Sequence, residues 1–93
     1  MGIYAVTYTY GPDTDVARDA HRPRHKDFLA DLHEAGTLRA SGPLADGTGA
    51  LLLLEAESDA QVEHLLDGDP FRQEGLIGER TVRGWSIVFG GLR

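Results

Sequence analysis

The sequence predicts an α+β domain of order β–α–β–β–α–β, a four-stranded antiparallel sheet with two helices on one face. Three observations carry this. Residues 3–10 and 81–89 alternate with the period of two expected of strands. Apolar residues after His25 recur with helical spacing. A short apolar run at residues 50–55 is bounded by turn signals.

The first strand, IYAVTYTY at residues 3–10, is rich in β-branched and aromatic side chains. Tyr4, Val6, Tyr8 and Tyr10 share one face, and Ile3, Ala5, Thr7 and Thr9 share the other. The tyrosine stripe reads as core or as a dimer-facing sheet surface, with a ligand-lining wall as the alternative. Gly11-Pro12-Asp13 breaks the strand. The first helix is expected to begin between Arg18 and Pro23 and to end at Ala35. Pro23 fits its first turn, where no N–H is needed. Gly36 serves as the residue just past the end. His25 shares its face with Phe28, Leu29, Leu32 and Ala35, so a protonatable ring points toward the packed side. His33 falls off that stripe.

Residues 37–41 read as a short second strand, with Leu38 and Ala40 on one face and Thr37, Arg39 and Ser41 on the other. Gly42-Pro43 stops it, and Asp46-Gly47-Thr48-Gly49 is a hairpin-type turn. The run ALLLLE at 50–55 then fits a strand covered on both faces. Ser58-Asp59-Ala60-Gln61 is a capping box that opens a second helix to about Leu66 or Asp67, burying Val62, Leu65 and Leu66. Gly68 suits its C-terminal cap and Pro70 prevents continuation. Residues 71–77 form a connection of about one helical turn, residues 81–89 the last strand, and residues 90–93 a loose tail. This order is the split-βαβ, ferredoxin-like arrangement. It leaves one sheet face bare. With the tyrosines and the leucine run on the strands, that face is expected to be closed by a second copy of the chain.

Ninety-three residues fit a single domain over 1–93, with a core that has little to spare. A net charge of −6 argues against nucleic acid as a partner. No apolar run is long enough to span a membrane, and the N-terminal stretch lacks the basic and apolar blocks of a signal peptide. Without cysteine there is no disulfide, thiol chemistry or zinc–thiolate site. A cytoplasmic location is the default.

Three points in the sequence are candidates for one site, although spacing alone does not show that they meet. His25 stands near the start of the first helix. Ser41-Gly42-Pro43 ends the second strand, with a hydroxyl, a residue permitting close backbone approach, and a fixed turn. Asp69 lies just past the second helix. A carboxylate beside a histidine fixes its tautomer and raises its basicity, which would suit His25 to acid–base work. Taken singly, each also has a plain structural explanation: a core-edge histidine, a strand-ending turn, a turn residue before proline. Arg18, Arg22 and Arg24 around His25 would favour an anionic or phenolate ligand, or form a solvated helix start. His21 and His25 are four residues apart, but a third ligand at helix spacing is missing, so no metal is expected. No nucleotide-binding fingerprint occurs, and no cofactor is expected.

These residues resemble the YciI-like (YCII-related) family of small dimeric α+β proteins. The resemblance rests on Arg22-Pro23-Arg24-His25, Leu29, Leu32, Glu34-Ala35-Gly36-Thr37-Leu38 and Ser41-Gly42-Pro43-Leu44. It continues through residues 53–58, Asp69-Pro70-Phe71 and Glu74-Gly75-Leu76, and so spans nearly the whole chain in order. It implies a ferredoxin-like fold and a homodimer of dimeric α/β-barrel type, packed through the sheets. It also implies an active site pairing His25 with Asp69, and a pocket lined by Ser41. One branch of the family is linked to dehydrochlorination of hydroxylated, chlorinated aromatics without a redox cofactor. The turn at Ala45 to Gly49 is shorter than in many members, so substrate class does not carry over. The expected function is a cofactor-independent enzyme using His25 and Asp69 for elimination or hydrolysis of a small aromatic or anionic molecule, with Ser41, Gly42, Pro43 and Arg22 binding it. The alternatives are a module that binds a small ligand without turning it over, or a structural dimer.

Overall fold

The computed structural model describes residues 1–91, so Leu92 and Arg93, expected in the tail, lie outside the described residues. Seven elements follow in order: β1 (Gly2–Tyr10), α1 (Asp15–Glu34), β2 (Leu38–Pro43), β3 (Gly49–Ala56), α2 (Asp59–Leu66), α3 (Pro70–Gln73) and β4 (Ile77–Trp85). The strands form one antiparallel sheet in the order β2-β3-β1-β4. This is the predicted ferredoxin-like topology, and the connection between α2 and β4 holds the expected helical turn, α3.

The alternation of β1 decides which face is which. Val6 pairs with Leu52 and Val82, and Tyr4 pairs with Leu54. Side chains directly opposite one another share a face. Val6, Tyr8, Leu52 and Leu54 are all buried, packed with Val62 and Leu66 of α2 and with Phe71 of α3. The tyrosine stripe therefore faces the helices. Its expected place on a dimer-facing surface is corrected: the aromatic rings are the larger apolar surface, and the helices claim them. The other face carries Ala5, Thr7, Leu51, Leu53 and Trp85, with Leu51 and Trp85 exposed.

Helix α1 starts earlier than expected. It runs through Pro23, which lies inside the helix and not in its first turn. The Asp19 carbonyl thus has no N–H to accept at position 23. The added turns are anchored by Thr14, whose hydroxyl donates to the Gly11 carbonyl at 2.7 Å and accepts from Arg18 Nε at 3.1 Å. The C-terminus matches expectation. Gly36 has φ +84°, its N–H donates to the His33 carbonyl, and Thr37 N–H donates to the Leu32 carbonyl. No residue of α1 is fully buried; Phe28, Leu29 and Leu32 lie half-buried against the core.

Ser58 caps α2 as predicted, accepting from Gln61 N–H at 3.1 Å, while Gln61 Oε1 accepts from Glu57 N–H at 2.7 Å. Gly68 is not a left-handed cap. It makes room for an aromatic ring, since a Cβ there would lie 3.1 Å from Phe28 Cε1. Strand β4 begins at Ile77 and ends at Trp85, four residues earlier at each end than predicted. Its start is fixed by Gly11 N–H donating to the Leu76 carbonyl. Among the described residues, no helix is long and apolar enough to cross a membrane.

Candidate active site

Asp69 is held by local sequence before any tertiary contact forms. Pro70 restricts it to extended backbone, and it adopts φ −65° and ψ 125°. In that conformation it is the N-cap of α3, and its Oδ1 accepts from Phe71 N–H at 2.9 Å. Proline at the first helical position costs nothing there. The same side chain is wholly buried, so its remaining lone pairs need donors.

Two distant elements supply them. Tyr8 of β1 donates its hydroxyl to Asp69 Oδ2 at 3.0 Å. His25 of α1 lies with Nδ1 2.7 Å from Asp69 Oδ1. The short N···O distance fits a charge-assisted bond. With the carboxylate accepting throughout, the Nδ1–H tautomer is assigned, and Nε2 is the nitrogen left for a ligand. The imidazole also stacks on Phe71 with ring centroids 3.9 Å apart and an interplanar angle of 1°. The Asp-Pro-Phe step thus fixes the ring both by hydrogen bond and by stacking. Burial, then the Asp69 charge and hydrogen bond, push the Tyr8 phenol far above its usual range, so it stays a protonated donor.

His25 opens onto a cavity of about 550 Å³ walled by β1, α1, the β2 end and Phe71. Its side chain is 13% exposed. Ser41, Gly42 and Pro43 line this cavity, as does Arg22, together with Tyr8, Tyr10, Arg18, Lys26, Leu29 and Leu52. Ser41 gets there through a β-bulge. Strict alternation would put Leu38 and Ala40 on one face and Ser41 on the other. The register shifts between Leu38 and Ala40, and Ser41 then pairs with Leu52, on the helix side. The expected grouping of Ala40 with Leu38 gives way for that reason. Arg22 is engaged by Asp19 one turn earlier, and Arg24 by His21. His21 also lies 3.7 Å from Glu74, away from the His25–Asp69 pair.

Sequence reasoning paired His25 with Asp69 and missed three contributors. Tyr8 reads from sequence as one of a stripe; only the register of β1 against β3 sets it on the helix side and makes its hydroxyl a buried group in need of an acceptor. Phe71 was assigned to a connection. Lys26 carried no signal beyond its helical spacing from Arg22.

The YCII-related domain family matches this sequence over residues 3–86. The chain belongs to that family. Its YCII-related domain is 28% identical over 74 residues to the uncharacterized protein YjpA of Bacillus subtilis (strain 168), covering 80% of this chain and 86% of YjpA. Among solved structures it is similar to one described as 5-chloro-2-hydroxyhydroquinone dehydrochlorinase (TftG) from Burkholderia phenoliruptrix AC1100, in complex with 2,5-dihydroxybenzoquinone. That likeness has a TM-score of 0.80 and 25% identity, covering 90% of this chain and 93% of the other. A second, Rv0793 from Mycobacterium tuberculosis, shares the fold with a TM-score of 0.55 and 16% identity, over 95% of each chain. The ferredoxin-like YCII-related assignment thus rests on both sequence and structure.

Proposed function

We propose that this YCII-related protein is a cofactor-independent acid–base enzyme acting on a small hydroxylated aromatic compound, with His25 as the base and Asp69 orienting it. One observation carries the reading: a histidine that lines a cavity is bonded through Nδ1, at 2.7 Å, to a wholly buried carboxylate behind it. A histidine so held has one tautomer and one ring orientation. Its Nε2 is committed to taking a proton from whatever occupies the cavity. Ser41, Gly42 and Pro43 line the same cavity, and Phe71 fixes the ring plane.

The likeness to a dehydrochlorinase supports elimination as the reaction type. Such a step balances without a redox partner. His25 removes a phenolic proton and the chlorine-bearing ring carbon takes up a proton, giving the keto form; loss of the second hydroxyl proton to solvent then expels chloride with the carbon–chlorine bonding pair. The ring passes from hydroquinone to quinone, and this oxidation is balanced by reduction of the carbon that exchanges chlorine for hydrogen. The net loss is HCl.

The test is chloride release from a chlorinated hydroxyhydroquinone. The native protein is expected to release chloride. His25→Ala and Asp69→Asn are expected to lose about 10²–10⁴ in rate, the usual worth of a positioned base. A folded His25→Ala that keeps the native rate overturns the assignment of the base, and absence of chloride release by the native protein overturns elimination.

We also infer that the protein works as a homodimer closed through the uncovered sheet face. Leu51 and Trp85, 42% and 45% exposed, share that face with Leu53 and Ala5. The helices occupy only the other side, and apolar surface of this kind is normally covered. Sedimentation is expected to show a dimer for the native chain and a monomer for Leu51→Lys. A native monomer at micromolar concentration overturns it.

A further inference from the structure

The cavity is electrostatically at odds with the chain that forms it. The protein has 15 acidic residues against 9 basic ones, yet among the described residues the cavity wall carries Arg18, Arg22 and Lys26 and no carboxylate. The three cations stand at intervals of four on α1, on the turns that carry His25, so the helical repeat gathers them on one side of the cavity. Pro23 is tolerated inside the helix, and that continuity is what brings Arg18 alongside His25.

The three are not equivalent. Arg22 is engaged by Asp19. Lys26 has no carboxylate partner among the described residues. Arg18 is pre-oriented: Nε donates to Thr14 Oγ1 at 3.1 Å, and Cζ lies 3.9 Å from the centroid of the Tyr10 ring. With Nε occupied, the Nη1–Nη2 edge remains, a planar pair of donors matched to the two oxygens of a carboxylate. Holding the guanidinium in place lowers the entropic cost of using it.

We propose that the substrate is a hydroxylated aromatic carboxylate, its carboxylate gripped by Arg18 and assisted by Lys26, its hydroxyl presented to His25. This deepens the acid–base reading of the same cavity and rests on it for the hydroxyl end. Arg18 is thereby a specificity-determining residue, and the binding energy comes from a group remote from the reacting atoms.

Two probes differing only in the carboxylate separate the terms: gentisate and hydroquinone, titrated calorimetrically into the native protein. Gentisate is expected to bind about ten-fold more tightly or better, the factor that ~1.4 kcal/mol supplies. In Arg18→Gln the preference should collapse while hydroquinone affinity holds. Arg18→Lys, which keeps the charge and loses the paired donors, should retain only part of it and guards against a folding artefact in the glutamine variant. Equal affinities in the native protein, no binding of either probe at millimolar concentration, or a preference unchanged in both Arg18 variants and in Lys26→Gln each overturn the proposal. Its failure is distinguishable from that of the acid–base reading. His25-dependent chloride release from a neutral chlorinated hydroquinone would stand without any carboxylate preference. Conversely, an Arg18-dependent preference would stand even if His25→Ala left turnover untouched.

Discussion

Tyr8 and Asp69, 61 residues apart, are joined by a 3.0 Å hydrogen bond between two wholly buried side chains. The bond fills Asp69 Oδ2, so that His25 and Phe71 N–H can share Oδ1. Tyr8→Phe removes the donor and leaves a buried carboxylate oxygen without one. A loss of about 1–3 kcal/mol is expected in denaturant unfolding. The native pair also sets an alkaline limit. Because burial and Asp69 raise the folded pKa of Tyr8 above its unfolded value of about 10, the stability it contributes is complete below that pH and is lost as pH rises beyond it. Phenolate absorbance should show one tyrosine that resists ionisation until the protein unfolds. If all three tyrosines titrate together in the folded protein, the buried bond is absent.

Asp69 does two jobs at once, as cap of α3 and as partner of His25. Asp69→Asn separates them. An amide oxygen in the Oδ1 place can still accept from Phe71 N–H and from His25 Nδ1–H, but its NH₂ then meets the Tyr8 hydroxyl, and a neutral acceptor holds the Nδ1–H tautomer less firmly than a carboxylate. Nitrogen chemical shifts of the His25 ring are expected to report a single Nδ1–H tautomer in the native protein at neutral pH and a mixture in the variant. A native ring already mixed at that pH contradicts the orienting role.

The topology and most element ends were legible because the local signals agreed with one another: strand alternation, the Ser58 cap, the Gly36 terminus. The site was legible differently. His25 stood out on its helix face, but nothing in its spacing pointed to Asp69; the chain order made Asp69 a candidate partner, and the family resemblance gave the pairing its weight. Tyr8 could not be assigned a role until the sheet register set it on the helix side. Ser41 was placed on the wrong side of alternation by a bulge that no turn residue announces. Strand β4 was misplaced because Ile77-Gly78-Glu79 lacks the β-branched run of residues 81–89, and pairing with Thr9 and Tyr10 overrides that weak local preference.

At Gly49, β3 leaves no room for a side chain against the β1 backbone. A Cβ there would lie 1.9 Å from the Tyr8 carbonyl oxygen and 3.0 Å from its carbon, both backbone atoms that cannot rotate away. Gly49→Ala is expected to cost about 3 kcal/mol or more, at or above the upper range for overpacking, and to shift the strand that carries Tyr8. Gly42 is the control. A Cβ there meets nothing within 4 Å, so Gly42→Ala should stay within about 0.5 kcal/mol of native. Equal effects at both glycines would contradict the close approach of the two strands.

Arg80 carries the least intuitive expectation. Its side chain is 5% exposed, donates to Glu63 at 3.0 Å and to Asp67 at 2.8 Å, and keeps a buried Nη1 with no hydrogen-bond partner among the described residues. Truncating an ion-paired, buried arginine is usually severe because it strands buried partners. Here the partners are themselves about half exposed, at 49% and 57%, and water can take them over. Arg80→Met removes the unsatisfied nitrogen and keeps the apolar stem, so stability at neutral pH should change by about 1 kcal/mol or less. Its signature lies at low pH. The hydrogen bond from Arg80 holds the Asp67 carboxyl below its ordinary 3.8, so that contribution is present above this value and is lost as pH falls through the lowered one. In Arg80→Met the acid limb of the stability curve should therefore flatten. A loss of about 3 kcal/mol at neutral pH with an unchanged acid limb would mean that Arg80 is held by burial alone and not by its two carboxylates.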